Sequence, residues 1–201
     1  MARGCEDWQG GARRVRLAAM NVSMSGRGAG VLVACLSALA CGPRAPTQVG
    51  HASHANGAAA GAETALAQVA AIHGGAGPFA VAGYRMGQRA VTELGAQRGS
   101  FDLEVVHESP AEVQWSCIAD GLQAATGVSP GKLNLRLVVV DGGRTSSLVR
   151  NRRTGRVMRF TLTPAFLARF TDVPREKLAG AGADVMKLPD EEIFQVGVSP
   201  Q

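Results

Sequence analysis

Apolar positions first fall into a regular pattern near residue 62. Ala62, Leu66, Val69 and His73 recur at helical spacing and Gly74-Gly75 supplies a stop. The spacing predicts a short helix that delivers His73 at its last turn. Pro78 suits the first position of a second helix, where its missing N–H costs nothing. Phe79, Ala82, Met86, Ala90 and Leu94 then share one face, and Gly95 closes it. The loop His73-Gly74-Gly75-Ala76-Gly77 is thus pinched between a helix end and a helix start. Its glycines allow close backbone approach, and the N–H groups that follow favour an anion or a thiolate.

Beyond that helix the period falls to two. Phe101, Leu103 and Val105 alternate with Asp102 and Glu104, the pattern of a half-buried strand. Leu133, Leu135, Leu137 and Val139 alternate with Asn134 and Arg136 in the same way. Ser146 to Asn151 and Arg156 to Thr163 read as a hairpin turned by Arg152-Arg153-Thr154-Gly155, with Met158, Phe160 and Leu162 inward. Between the first two strands, Ser116 to Thr126 reads as a helix capped by Ser116 and stopped by Gly127. Helices first, then strands interrupted by one helix, predict an α+β class with N-terminal helices packed on a mostly antiparallel sheet. Residues 62–198 form that single domain, and a chain of 201 residues has the length for one real core.

The front of the chain follows neither period. Arg13, Arg14, Arg16 and Arg27 precede an apolar run from Gly28 to Ala40, too short for a helix that crosses a bilayer, which needs roughly 20 apolar residues. The run ends in Ala38-Leu39-Ala40-Cys41 and resembles the lipobox of bacterial lipoproteins, in which the cysteine is lipidated and becomes the new N-terminus. Leu32-Val33-Ala34-Cys35 fits the letters better but leaves only a stub of apolar residues before it. Residues 1–40 are therefore expected to be a lipoprotein-type signal segment, Cys41 the lipidation site, and the protein a periplasmic one held on a bacterial membrane. The long preamble makes Met20 or Met24 an alternative start of translation. Residues 41–61, rich in Pro, Gly, Ala, Ser, His and Asn, read as a flexible linker in which His51 and His54 are solvated.

Export changes the charge and cysteine arguments. The formal charge is +5, but five arginines and two acids precede Cys41, leaving 16 basic and 14 acidic residues and a net +2 beyond it. Such a balance gives no general pull toward nucleic acid. With Cys5 and Cys35 removed and Cys41 lipidated, Cys117 stands alone, which excludes a disulfide framework and a four-cysteine zinc module.

Cys117 carries the clearest chemical meaning. In the first turn of a helix capped by Ser116 it would meet free N–H groups and a favourable dipole, both of which stabilise a thiolate. Asp120 shares its face and could orient a ligand or a proton. A small buried core cysteine is the competing reading, and the residues alone leave both open. His107 follows the first strand and reads as an exposed strand-end histidine. Arg150, Arg152, Arg153, Arg156 and Arg159 make the hairpin basic, either for an anion or as part of a fold-specific turn. Asp141-Gly142-Gly143-Arg144 reads as a turn after a strand.

Several motifs occur together in order. They are His73-Gly74 with Pro78, Gly83-Tyr84-Arg85-Met86-Gly87, Ser116-Cys117 with Asp120-Gly121-Leu122-Gln123, Thr126-Gly127, Gly131-Lys132 with Asn134, Asn151-Arg152-Arg153-Thr154-Gly155, and Leu188-Pro189-Asp190-Glu191-Glu192-Ile193-Phe194. The ordered set resembles the FmdE-like domain family, named for a component of formylmethanofuran dehydrogenase, and covers most of residues 63–198. The resemblance implies an α+β domain with a small cleft where a histidine and cysteines bind a transition metal, zinc or nickel. It does not imply the dehydrogenase reaction, whose redox chemistry belongs to other components of that complex. The family loop typically reads His-Gly-His-x-Cys-Pro-Gly; here Gly75 and Gly77 replace the second histidine and the cysteine, and Phe79 follows the proline. That leaves His73 and Cys117 as metal candidates and Cys117 with Asp120 as catalytic candidates.

Three functional classes follow. The first is an exported lipoprotein that binds a transition metal or small ligand in a His/Cys cleft. The second is a Cys117-dependent enzyme. The third is a non-catalytic scaffold that docks a membrane redox complex. A homodimer is a further partner to test.

Overall fold

A computed structural model of the chain describes residues 53–141 and 145–199. The expected signal segment 1–40, Cys41 and His51 lie outside the described residues, as do Gly142, Gly143 and Arg144. Helix α1 (Ser53–His73) starts inside the segment read as a linker and ends at His73. Gly74 then takes a φ of +85°, which turns the chain at no steric cost. Helix α2 (Pro78–Glu93) carries proline at its start and buries Phe79, Ala82, Met86 and Ala90.

Strand β1 (Leu103–Ser109) leads through α3 (Val113–Ser116) and α4 (Ile118–Thr126) to β2 (Leu135–Val139). Because helices carry the chain back along the sheet, β2 pairs parallel to β1. Strands β3 (Ser146–Asn151) and β4 (Val157–Leu162) form the expected antiparallel hairpin. Asn151 Oδ1 accepts from the Arg153 and Thr154 N–H groups at 3.0 and 3.3 Å, which builds the turn. The chain then adds α5 (Pro164–Phe170), α6 (Leu178–Val185), α7 (Asp190–Ile193) and β5 (Phe194–Ser199). The sheet order is β2-β1-β3-β4-β5, antiparallel except for the β1–β2 pair, so the class is α+β.

Helices cover one face of the sheet, where Leu103, Val105, Val149, Met158 and Phe160 are buried. On the other face Glu104 meets Arg136 at 3.1 Å and Arg152 at 3.5 Å, while Glu108 meets Arg159 at 3.6 Å. Arg153 pairs with Asp102 at 3.6 Å. Solvated pairs of this kind add little stability. They account for most of the basic hairpin as the charged side of a sheet.

Most residues of the ordered motifs hold the fold together. Gly83 and Gly121 let α2 and α4 touch through bare backbone: a Cβ on Gly83 would strike the Ile118 carbonyl oxygen, and one on Gly121 that of Ala80. Arg85 donates to the Met186 and Leu188 carbonyls at 3.0 and 2.9 Å and to Asp190 at 2.7 Å, tying α2 to the C-terminal motif. Lys132 donates to the Gly99 and Gly127 carbonyls at 3.0 and 2.8 Å. Asn134, fully buried, donates to the Leu103 carbonyl at 2.9 Å.

Five local expectations fail. Phe101 is 67% exposed because the strand begins at Leu103, and Leu133 precedes β2 with a φ of 56° and 82% exposure. The apolar residues of β2 are only weakly buried: Leu135 packs partly against the core, while Leu137 and Val139 at the sheet edge stay exposed. Ser116 does not cap a helix; it ends α3, and its hydroxyl donates back to the Val113 carbonyl at 3.4 Å. His107 is not an exposed strand-end residue but fully buried.

Candidate functional site

A cavity of about 290 Å³ opens where three stretches of chain meet. His73, Gly77, Pro78 and Phe79 come from the α1–α2 loop and the start of α2. Val113, Gln114 and Cys117 come from α3 and its joint with α4. Phe170, Thr171, Val173, Arg175 and Leu178 come from the end of α5 and the turn into α6. The walls are locked together. Gln114 Nε2 donates to the Thr171 carbonyl at 2.8 Å. Phe79 meets Trp115 and Phe166 edge-on, at centroid distances of 5.2 and 5.3 Å. Gly182 of α6 lies so close to the loop that a Cβ there would strike the Ala76 carbonyl oxygen.

His73 and Asp120 form the polar pair of the site. Imidazole Nδ1 lies 2.8 Å from Asp120 Oδ2, although 47 positions separate the two in sequence. A carboxylate accepts, so Nδ1 carries the proton and the other ring nitrogen, Nε2, is left free of Asp120. Asp120 stands in the first turn of α4, and α4 packs against α1, which ends at His73. The ring is therefore oriented by the helix that begins beside Cys117.

Cys117 joins α3 to α4, with its own N–H already bonded to the Val113 carbonyl at 3.0 Å. Its thiol donates to the Gln114 carbonyl at 3.2 Å and is 8% exposed. Burial, and then the negative charge of Asp120, push the thiol up to about 12. At neutral pH the group is a protonated thiol, which favours the buried core cysteine of the two readings over the dipole-stabilised thiolate. The cause is tertiary: walls from α2, α3 and α5 remove the water that a thiolate needs.

His107 lies outside the cavity. Its Nε2 donates to the Trp115 carbonyl at 3.0 Å and its Nδ1 accepts from Ser147 Oγ at 2.9 Å. Burial lowers its pKa, so the ring is a neutral strut between β1 and α3. Sequence reasoning also missed the third wall, Phe170 to Leu178. Its signal was present in Thr163-Pro164: Thr163 Oγ1 accepts from the Phe166 N–H at 3.0 Å and Pro164 opens α5. Arg175 stands exposed at the mouth and makes no ion pair among the described residues.

The donors do not compose a metal centre of the usual kind. Structural zinc takes four protein ligands and catalytic zinc three. Here Asp120 is engaged with His73, Gly75 and Gly77 offer no side chain, and His73 and Cys117 remain. Among the described residues no group of three or more His, Cys, Asp or Glu side chains is placed to hold a metal ion. The arrangement is a small, mostly apolar chamber with an oriented imidazole on one wall and a guanidinium at its mouth.

The family described as FmdE, molybdenum formylmethanofuran dehydrogenase operon, matches residues 72–195. That span is more than half of the chain and runs from the end of α1 into β5, and the chain belongs to this family. No curated protein matches the chain. Membership defines the domain, while the cavity described above defines what this member's side chains can do.

Proposed function

We propose that the protein is an exported lipoprotein, anchored through Cys41, whose FmdE domain binds a small organic ligand in the cavity beside His73. One observation carries this reading. The chamber is walled by Pro78, Phe79, Val113, Phe170, Val173 and Leu178, with His73, Gln114, Thr171 and Arg175 as its few polar groups. Apolar walls with a few convergent polar groups suit a ligand with an apolar body and a polar head. A volume near 290 Å³ restricts that ligand to a few carbons or one ring. Arg175 favours an anionic head, and His73 lines the wall of the same chamber. The protonated, walled-in Cys117 argues against a thiolate enzyme.

Small carboxylates such as benzoate, with benzamide as the uncharged control, test the chamber. Benzoate should raise the melting temperature of the purified chain, and Leu178→Trp, which fills the chamber, should abolish the shift. Zn²⁺ or Ni²⁺ should not bind stoichiometrically. If either does, and both His73→Ala and Cys117→Ser remove it, the site is a metal centre and the small-ligand reading is wrong. A chain that takes neither metal nor carboxylate would instead be a scaffold for a membrane redox partner. The anchor is tested separately. Globomycin or Cys41→Ser should accumulate precursor in a bacterial host, and mature protein without an acyl group on Cys41 would remove the lipoprotein assignment.

A further inference from the structure

The edge of the sheet at β2 is apolar and open. Val105 N–H donates to the Asn134 carbonyl and Val140 N–H to the Ser109 carbonyl, at 2.8 and 3.0 Å. With the parallel register Val105↔Leu135 through Ser109↔Val139, the even-numbered residues of β2 turn their backbone groups toward β1. Leu135, Leu137 and Val139 turn theirs outward, where no described strand pairs with them. The side chains of these three residues continue the buried face of β1, whose Val105, His107 and Ser109 are fully covered. The cover then stops: Leu137 is 51% exposed and Val139 60%. An apolar, unpaired edge of this kind is a template for another strand, and proteins normally cover or charge it. The only charge on β2, Arg136, is held at 3.1 Å by Glu104 of the neighbouring strand.

We propose that β2 is the interface of a twofold dimer of this chain, formed by antiparallel pairing of the two β2 strands centred on Leu137. A second copy is the occupant because the strand is complementary to itself. Around an axis at Leu137, each Leu135 faces the partner's Val139, and each Arg136 faces the partner's Val138. No like charges stand opposite one another. The same centring makes Leu137–Leu137 and Leu135–Val139 the hydrogen-bonded pairs, so every outward N–H and C=O of these residues gains a partner. The apolar faces of the two sheets become one continuous surface. The dimer is independent of the cavity and of any ligand.

Sedimentation velocity on the full chain in mild detergent, over roughly 1 to 100 µM, should show a monomer–dimer equilibrium. Leu137→Lys places two ammonium groups at the axis and should weaken the dimer by at least about tenfold. At concentrations low enough to leave both proteins monomeric, its circular dichroism melt should match that of the unsubstituted chain, since Leu137 is half exposed at an edge. Leu137→Cys should form a disulfide-linked dimer under mild oxidation, beyond any seen with the unsubstituted chain. Leu135→Cys should not, because the two introduced thiols would sit about 13 Å apart along the strands. A monomer at every concentration overturns the proposal, including one whose β2 amides resist hydrogen exchange because another segment covers them. A dimer indifferent to Leu137→Lys, or linked equally well through position 135, overturns it too.

Discussion

Iodoacetamide offered to the folded chain at pH 7.5 should react with Cys117 very slowly. The thiolate is the nucleophile, and the Cys117 thiol is pushed up from 9.0 to about 12 by burial first and by the charge of Asp120 second. A shift of that size leaves roughly a thousandfold less thiolate at neutral pH than in the unfolded chain. The rate should therefore be on the order of a thousandfold lower than for urea-unfolded protein, and lower still because the sulfur is enclosed. It should keep rising about tenfold per pH unit past pH 9, where an ordinary thiol levels off. The sign for stability follows from a raised pKa. The protonated thiol favours the fold below the unfolded value near 9, and that contribution is lost as pH rises toward about 12. Asp120→Asn removes the smaller cause and should speed alkylation by no more than about tenfold. Peptide mapping by mass spectrometry isolates Cys117 from Cys5, Cys35 and Cys41. A rate that saturates by pH 8 would show a low-pKa thiolate, refute the burial argument, and restore the Cys117-dependent enzyme.

Two further outcomes test the scaffold behind the site. Gly121→Ala would drive a methyl into the Ala80 carbonyl, backbone that cannot turn aside, and should cost roughly 3 kcal/mol or more. Gly61→Ala, with nothing within 4 Å, is the control, and equal melting temperatures for the two variants would contradict the close helix contact. Burial lowers the pKa of His107, so its contribution to stability is complete above its unfolded value near 6.5 and is lost as pH falls toward the lower folded value. The urea midpoint should drop between pH 7.5 and pH 5, and drop less in His107→Gln. An undiminished drop in that variant would place the acid sensitivity elsewhere.

The local grammar of the chain was readable without coordinates. Gly74 and Pro78 punctuate two helices whose ends set the position of His73, and the Asn151 turn with its flanking alternation makes the β3–β4 hairpin. The ordered motifs identified the family, although Gly83, Arg85, Gly121, Lys132 and Asn134 prove to be packing and bonding residues. Sequence spacing also marked His73, Cys117 and Asp120 as the residues to watch. It did not show that Asp120 would bond His73 across 47 positions. Nor did it show that Phe170 to Leu178 would form the third wall of the cavity that Cys117 lines, or that Leu137 of β2 would be half exposed. Helix stops and turns depend on neighbours a few positions away, and sequence alone determined them, whereas the Ser116 cap and the alternation at Phe101 and Leu133 misled. The protonation of Cys117, the neutrality of His107 and the open β2 edge depend on what excludes water from each group. That is decided by elements far apart in the chain, and only the tertiary structure brings them together.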